Sequence, residues 1–124
     1  ANSICFDCKD EEKEIKAVSL NNGVFLCEDC SEIHKQADKA ISLIRPIDAD
    51  FWNQYQINKL TFGGNEKLQS YLVYYQLQEC TDFKKRYHSV ALQYYRSKLQ
   101  AFSSNQSFSE SQPEPREGKR LIEQ

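Results

Sequence analysis

The 124-residue chain contains no Met, so Ala1 is not an initiator residue. No apolar run approaches the ~18–20 residues needed to cross a bilayer, which excludes a membrane-spanning helix. No basic stretch followed by an apolar one opens the chain, so no secretory signal is visible. Neither sign of charge dominates. Sixteen Lys and Arg against eighteen Asp and Glu leave a net charge of −2, too small a basic field for nucleic acid to be the main ligand. Four glycines form no Gly-rich phosphate loop, and there is no Ser-His-Asp set, so a self-contained catalytic centre is not expected. The composition that remains, 40% apolar and 27% charged, is that of one soluble globular domain.

Cysteine is what the chain has in a pattern. Cys5 and Cys8 form one Cys-x-x-Cys pair, Cys27 and Cys30 a second, and eighteen residues separate the pairs. This is the spacing of a tetrahedral zinc site. Two residues between ligands let one tight turn aim both sulfurs at a single ion. Two such turns complete four-coordination and leave no position for water, so the zinc expected here is structural. A disulfide pair or a redox motif is the competing reading. The missing secretory signal and the odd fifth cysteine argue against the first, and a redox pair needs no duplicate at zinc spacing. Cys80 reads as an ordinary buried or half-exposed thiol.

The expected fold class is α+β, mostly helical: a four-cysteine finger with a small sheet, then a helical half. Residues 17–20 and 24–27 read as strands joined by the turn Asn21-Asn22-Gly23. A short helix is expected over 31–39, and a third strand at 43–45, stopped by Pro46. Asp48 can cap a helix carrying Phe51, Trp52, Tyr55 and Leu60, which Gly63-Gly64 would break. Leu68, Tyr71, Leu72 and Tyr75 share one helical face, and Phe83, Tyr87, Val90 and Tyr94 mark another helix over 82–101. These aromatic stripes read as core packing. Lys84-Lys85-Arg86 reads as a solvated basic face, with an anionic partner or lipid headgroup as the sharper alternative. Residues 1–102 form the expected domain. Residues 103–124, rich in Ser, Gln, Glu and Pro, form a tail expected to be disordered unless a partner holds it.

The run from Gly23 to Lys35, Gly-Val-Phe-Leu-Cys-Glu-Asp-Cys-Ser-Glu-Ile-His-Lys, resembles the zinc finger of Arf GTPase-activating proteins, the ArfGAP family, which reads G-V-F-L-C-x-x-C-S-G-I-H-R there. Ser42-Leu43-Ile44-Arg45 resembles the family's S-x-V-R, the segment 47–52 its L-x-L-D-x-W, and Gly64-Asn65 its G-N. The resemblance covers residues 4–102 or so. It implies an ArfGAP-type fold, one zinc on Cys5, Cys8, Cys27 and Cys30, and an Arf-type small GTPase as partner.

The departures cluster near one site. The knuckles stand two residues further apart than is usual, an insertion placed in the Lys9–Glu14 loop. Ala17 stands where the family has Trp, and Glu32 where it has Gly. Lys35 stands where the resemblance implies an arginine finger, the side chain that enters the GTPase site and supplies ~10³–10⁵ in rate. Lysine keeps the charge and loses the planar fork. Glu32, three residues earlier on a helix, could hold it back. His34 reads as a structural histidine rather than a spare zinc ligand, and Arg45 as either a partner contact or a brace on the knuckle carbonyls.

The sequence expectation is therefore an ArfGAP-like zinc module with no active site of its own and without GTPase-activating activity, hence not an enzyme. It would act as a structural or protein-interaction subunit of a multiprotein assembly. The alternative is an activator of an Arf-type GTPase that uses Lys35 in place of arginine. No nucleic acid and no membrane span are expected, and peripheral membrane association stays open. The expected location is intracellular, in the cytoplasm or an organelle as part of a complex, and not secreted.

Overall fold

The computed structural model describes residues 2–122; residues 1, 123 and 124 lie outside the description. Two short apolar runs either side of a tight turn make the first layer. Strand β1 (Ile15–Ser19) pairs antiparallel with β2 (Val24–Cys27), with Ala17 opposite Leu26 and Val18 opposite Phe25. Ile15 lies opposite Cys27, so Lys16 is the extra residue of a bulge. Gly23 closes the hairpin at φ +66°, and its missing side chain is needed twice, because a Cβ there would press on Leu99 and on the backbone of Lys59 and Gly63. Strand β3 (Ile44–Pro46) adds to the free edge of β1, giving the order β2-β1-β3. It includes Pro46, which an edge strand tolerates because no ladder bond is lost there.

Helix α1 (Glu28–Lys35) starts within the second knuckle, three residues earlier than the sequence pattern suggests, because the turn holding Cys27 and Cys30 is the helix's own first turn. Glu28 and Asp29 sit in that turn and His34 and Lys35 in the last, each complementing the helix dipole.

Helix α2 (Gln54–Phe62) starts at Asn53 and not at Asp48. A capping box decides this. Asn53 Oδ1 accepts from the Gln56 amide at 2.8 Å, and Gln56 Oε1 accepts from the Asn53 amide at 3.0 Å. Phe51 and Trp52 are thereby left in the preceding loop, and Phe51 is 69% exposed. Helix α3 (Asn65–Tyr74) follows Gly63-Gly64 and buries Leu68 and Leu72. Its first residue acts as a clip. Asn65 Oδ1 accepts from Phe25 N at 2.7 Å, and its Nδ2 donates to Ile4 O at 2.8 Å. The first knuckle, β2 and the helical half meet at that side chain.

The single helix expected over 82–101 is two, α4 (Phe83–Tyr87) and α5 (Val90–Ser103). Ser89 separates them: its hydroxyl donates to Arg86 O at 2.7 Å, ending α4, and accepts from Leu92 N at 3.2 Å, starting α5. One apolar cluster runs from Cys5 and Phe6 through Leu26, Leu68 and Leu72 to Leu92 and Leu99, so finger and helices share a core. Among the described residues no helix is long and apolar enough to cross a membrane.

The tail, described as far as residue 122, is laid against its own chain rather than left free. Tyr75 Oη donates to Pro113 O at 2.6 Å and Tyr94 Oη to Glu110 O at 3.1 Å. A short helix α6 (Pro115–Gly118) follows, and Ile122 N donates to His88 O at 2.8 Å. The tyrosine hydroxyls share the segment with a backbone pairing, in which Val90 N also donates to Arg120 O at 2.8 Å, and with Lys119 Nζ on Gln76 Oε1 at 2.9 Å. Gly118 lies on the Tyr75 ring, where a Cβ would collide. Gly118→Ala is expected to lift residues 113–122 and cost about 1–3 kcal/mol. Hydrogen exchange of that segment reads the change, and unaltered protection contradicts this packing.

Candidate functional site

The structure brings Cys5, Cys8, Cys27 and Cys30 together, with all four sulfurs within 4.8 Å of one another. Cys8 Sγ and Cys27 Sγ stand 3.9 Å apart. Four thiolates about 2.3 Å from one zinc lie roughly 3.8 Å from each other, so this quartet fits that ion. Burial, with Cys5 and Cys27 crowding it, pushes the Cys30 thiol far up, which is the repulsion a divalent cation relieves. The centre is a structural zinc site. Lys13, in the loop between the knuckles, pairs with Asp29 at 2.7 Å, which ties the lengthened loop to the second knuckle.

A buried polar chain leads away from the metal. His34 is fully buried and outside the ligand set. Its Nε2 meets Asp7 Oδ2 at 2.7 Å and its Nδ1 meets Ser42 Oγ at 2.7 Å. Ser42 continues to Ser19, Asn22 and Arg96 through contacts of 2.7, 2.8 and 3.2 Å. On its other oxygen Asp7 accepts from Tyr87 Oη at 2.5 Å and faces Arg86 Nη1 at 3.5 Å. Burial would raise the Asp7 carboxyl. The hydrogen bonds from His34 and Tyr87 and the nearby positive charges outweigh it and hold the group below the ordinary carboxylate range.

Arg86 therefore does not belong to a solvated basic face. It is buried, and its Nη2 also donates to Leu77 O at 3.1 Å and Gln78 O at 2.8 Å. Only Lys84 and Lys85 of that run face water. Neither Asp7 nor Arg86 was singled out for this role by sequence reasoning. The signal available was an acidic residue inside a knuckle with a buried-helix arginine far along the chain.

Lys35 ends α1, five residues after Cys30, so the zinc fixes where it emerges. Its Nζ pairs with Glu32 Oε2 at 2.8 Å, as the helical spacing suggests. Both side chains are more than half exposed, and such pairs contribute ~0.2–1 kcal/mol, so Lys35 is restrained lightly and released at little cost. Ala17 is buried in β1 between Leu26 and Pro46. Arg45 does not brace the knuckle: its guanidinium lies 4.8 Å over the Trp52 ring and donates to Phe51 O, stiffening the loop before α2. Cys80 is half-buried, its Sγ 3.7 Å from Asp82 O.

Comparison with known proteins bears on these features together. Residues 1–112 match the ArfGap family, described as "Putative GTPase activating protein for Arf". The chain belongs to the ArfGap family. ADP-ribosylation factor GTPase-activating protein 3 of Bos taurus is 34% identical over 104 residues, covering 83% of this chain and 20% of that protein. The Mus musculus protein of the same name is 34% identical over 106 residues, covering 83% of this chain and 19% of its own length. The chain thus spans about a fifth of the curated relatives it matches. A crystal structure described as a "putative GTPase activating protein for ADP ribosylation factor" from Cryptosporidium parvum superposes with a TM-score of 0.68 at 26% identity, covering 82% of this chain and 80% of that one.

These findings correct one expectation. The sequence reading held that a chain without its own active site is not an enzyme. The ArfGap family and these relatives are GTPase-activating proteins, which are enzymes. The inference failed on physical grounds. A triad, nucleotide loop or open metal is needed only where a chain holds its own substrate, whereas an activator contributes to chemistry on nucleotide that another protein holds.

Proposed function

We propose that this ArfGap chain is a GTPase-activating domain for an Arf-type small GTPase, and that Lys35 is the cation it presents to the GTPase site. The observation that carries this reading is the placement of Lys35. It stands exposed at the end of a helix whose other end is part of the zinc knuckle, and among the described residues it pairs with Glu32 alone. A cation at that point supplies charge to a phosphoryl-transfer transition state. Lysine supplies it as a single flexible point, without the two-pronged donation of a guanidinium, so stimulation is weaker than an arginine would give. The scaffold that aims it is rigid for the reasons above: metal at one end of α1, the Asp7–His34–Ser42 contacts at the other. Cysteines that must stay reduced to hold zinc support an intracellular setting for the domain as part of the same proposal.

Single-turnover GTP hydrolysis by an Arf-type GTPase tests this. The wild-type domain is expected to raise the rate, Lys35→Ala to abolish the rise, and Lys35→Arg to increase it by about 10- to 100-fold, the worth of one further charge-assisted hydrogen bond. No stimulation by either wild type or Lys35→Arg, with binding to the GTPase retained, overturns the proposal and leaves a scaffold role within a multiprotein assembly.

A further inference from the structure

Away from the zinc, two positive side chains are nine-tenths buried without an acid to answer them. Lys59 of α2 and Arg96 of α5 are each 8% exposed. Neither forms a salt bridge among the described residues. Both line one cavity of about 520 Å³ between these helices and the loop before β3, and no Asp or Glu among the described residues lines it. That volume lies in the range of small-molecule sites, ~300–1,000 Å³.

The groups in the cavity have hydrogen-bonding capacity left over that faces the opening. Lys59 Nζ has the Tyr55 ring at 4.8 Å and no hydrogen-bond acceptor among the described residues. Arg96 spends Nη1 on Asn22 Oδ1 at 3.2 Å and Tyr87 O at 3.0 Å, leaving its other nitrogens without a partner among the described residues. Burial, with no neighbouring carboxylate to oppose it, pulls the Arg96 guanidinium down to about 10. Gln93, Ser97 and Gln100 follow Arg96's face of α5 at helical spacing, and their side chains make no hydrogen bond among the described residues. A polar hollow edged by two cations with donors to spare, and by no acid among the described residues, is suited to an anion that enters it.

We propose that this cavity binds a phosphate monoester carried on a polyhydroxylated molecule. Lys59 and Arg96 pair with the phosphate, and the free amides and hydroxyl of α5 take the hydroxyl groups of the carrier. Phosphate suits the pair because a guanidinium donates to two of its oxygens while an ammonium adds a point charge. The carrier is a free sugar phosphate or the headgroup of a phosphorylated inositol lipid. The proposal does not depend on the activator reading, since Lys35 does not line the cavity and binding is measured without a GTPase.

The test uses the whole zinc-loaded chain and two probes: glucose 6-phosphate in solution, and phosphatidylcholine vesicles containing phosphatidylinositol 4-phosphate. Glucose with salt at equal ionic strength and plain phosphatidylcholine vesicles are the controls. Calorimetric titration, Tm shift and vesicle sedimentation read the result. Binding above control to either probe is expected, weakened about tenfold or more in Lys59→Met and restored in part by Lys59→Arg. Success with the soluble ester identifies a free metabolite as the source, and success with vesicles alone identifies the headgroup. Lys59→Met keeps the length of the stem, so circular dichroism is expected to match wild type. No binding above control with either probe overturns the proposal, as does binding that Lys59→Met leaves unchanged.

Discussion

Removing zinc is expected to unfold the finger and to take the helical half with it. A structural zinc contributes ~10–16 kcal/mol of apparent binding energy, whereas a domain of this size has a net stability of only ~5–15 kcal/mol. Little else could compensate. The sheet has three strands of five, four and three residues. Cys5 and Cys27 are themselves core residues in contact with the cluster that reaches Leu92 and Leu99. Once the knuckles open, Phe6 and Leu26 lose their place and the helices lose the face they pack on. Chelation should therefore collapse near-ultraviolet ellipticity and Trp52 fluorescence together, with recovery on adding one equivalent of zinc. A cooperative thermal transition that survives complete metal removal would show that the apolar core is sufficient alone.

Asp7 is the position where one side-chain change should cost most without touching a ligand. Its carboxylate answers three groups at once: the His34 ring, the Tyr87 hydroxyl and the Arg86 guanidinium. His34 and Tyr87 are almost wholly buried and Arg86 nearly so, so none can turn to water. Asp7→Ala is expected to destabilise the domain by about 3–5 kcal/mol, the usual cost of leaving a buried charge uncompensated. Asp7→Asn keeps the volume and one acceptor and should cost less, about 1.5–3 kcal/mol. Denaturant midpoints measure both, and metal analysis should still find one zinc per folded chain because Asp7 is not in the cysteine set. A loss below ~0.5 kcal/mol for Asp7→Ala would mean the knot is solvated in solution.

The parts legible in the sequence are those set by spacing. The four cysteines announce themselves because a metal fixes the interval between ligands, and Gly23 does so because a tight hairpin needs positive φ. The stripe Leu68, Tyr71, Leu72, Tyr75 predicts α3 because burial repeats with the helical turn. Lys35 and its pair Glu32 are equally local. What the sequence concealed depends on distance along the chain. Asp7 meets partners 27, 79 and 80 residues away, and no window contains both ends of such a contact. Arg86 looks like its neighbours Lys84 and Lys85, although the fold turns it inward. The start of α2 was readable and was missed. Asn53-x-x-Gln56 is a capping-box pattern, but Asp48 with Phe51 and Trp52 competes with it, and hydrophobic periodicity alone cannot choose between them. The contacts of the tail carry no sequence signal either, because several use main-chain groups, which every residue type has.

The burial of the cysteine quartet is lopsided. Cys5, Cys27 and Cys30 lie inside, whereas Cys8 stands at the surface. An oxidant arriving, or an ion departing to a competing chelator, meets Cys8 before any other ligand. How long the scaffold lasts in a hostile medium is therefore a kinetic property of one corner. It is set by the loop that follows Cys8 and by the Lys13–Asp29 tether that restrains it, more than by the oily interior.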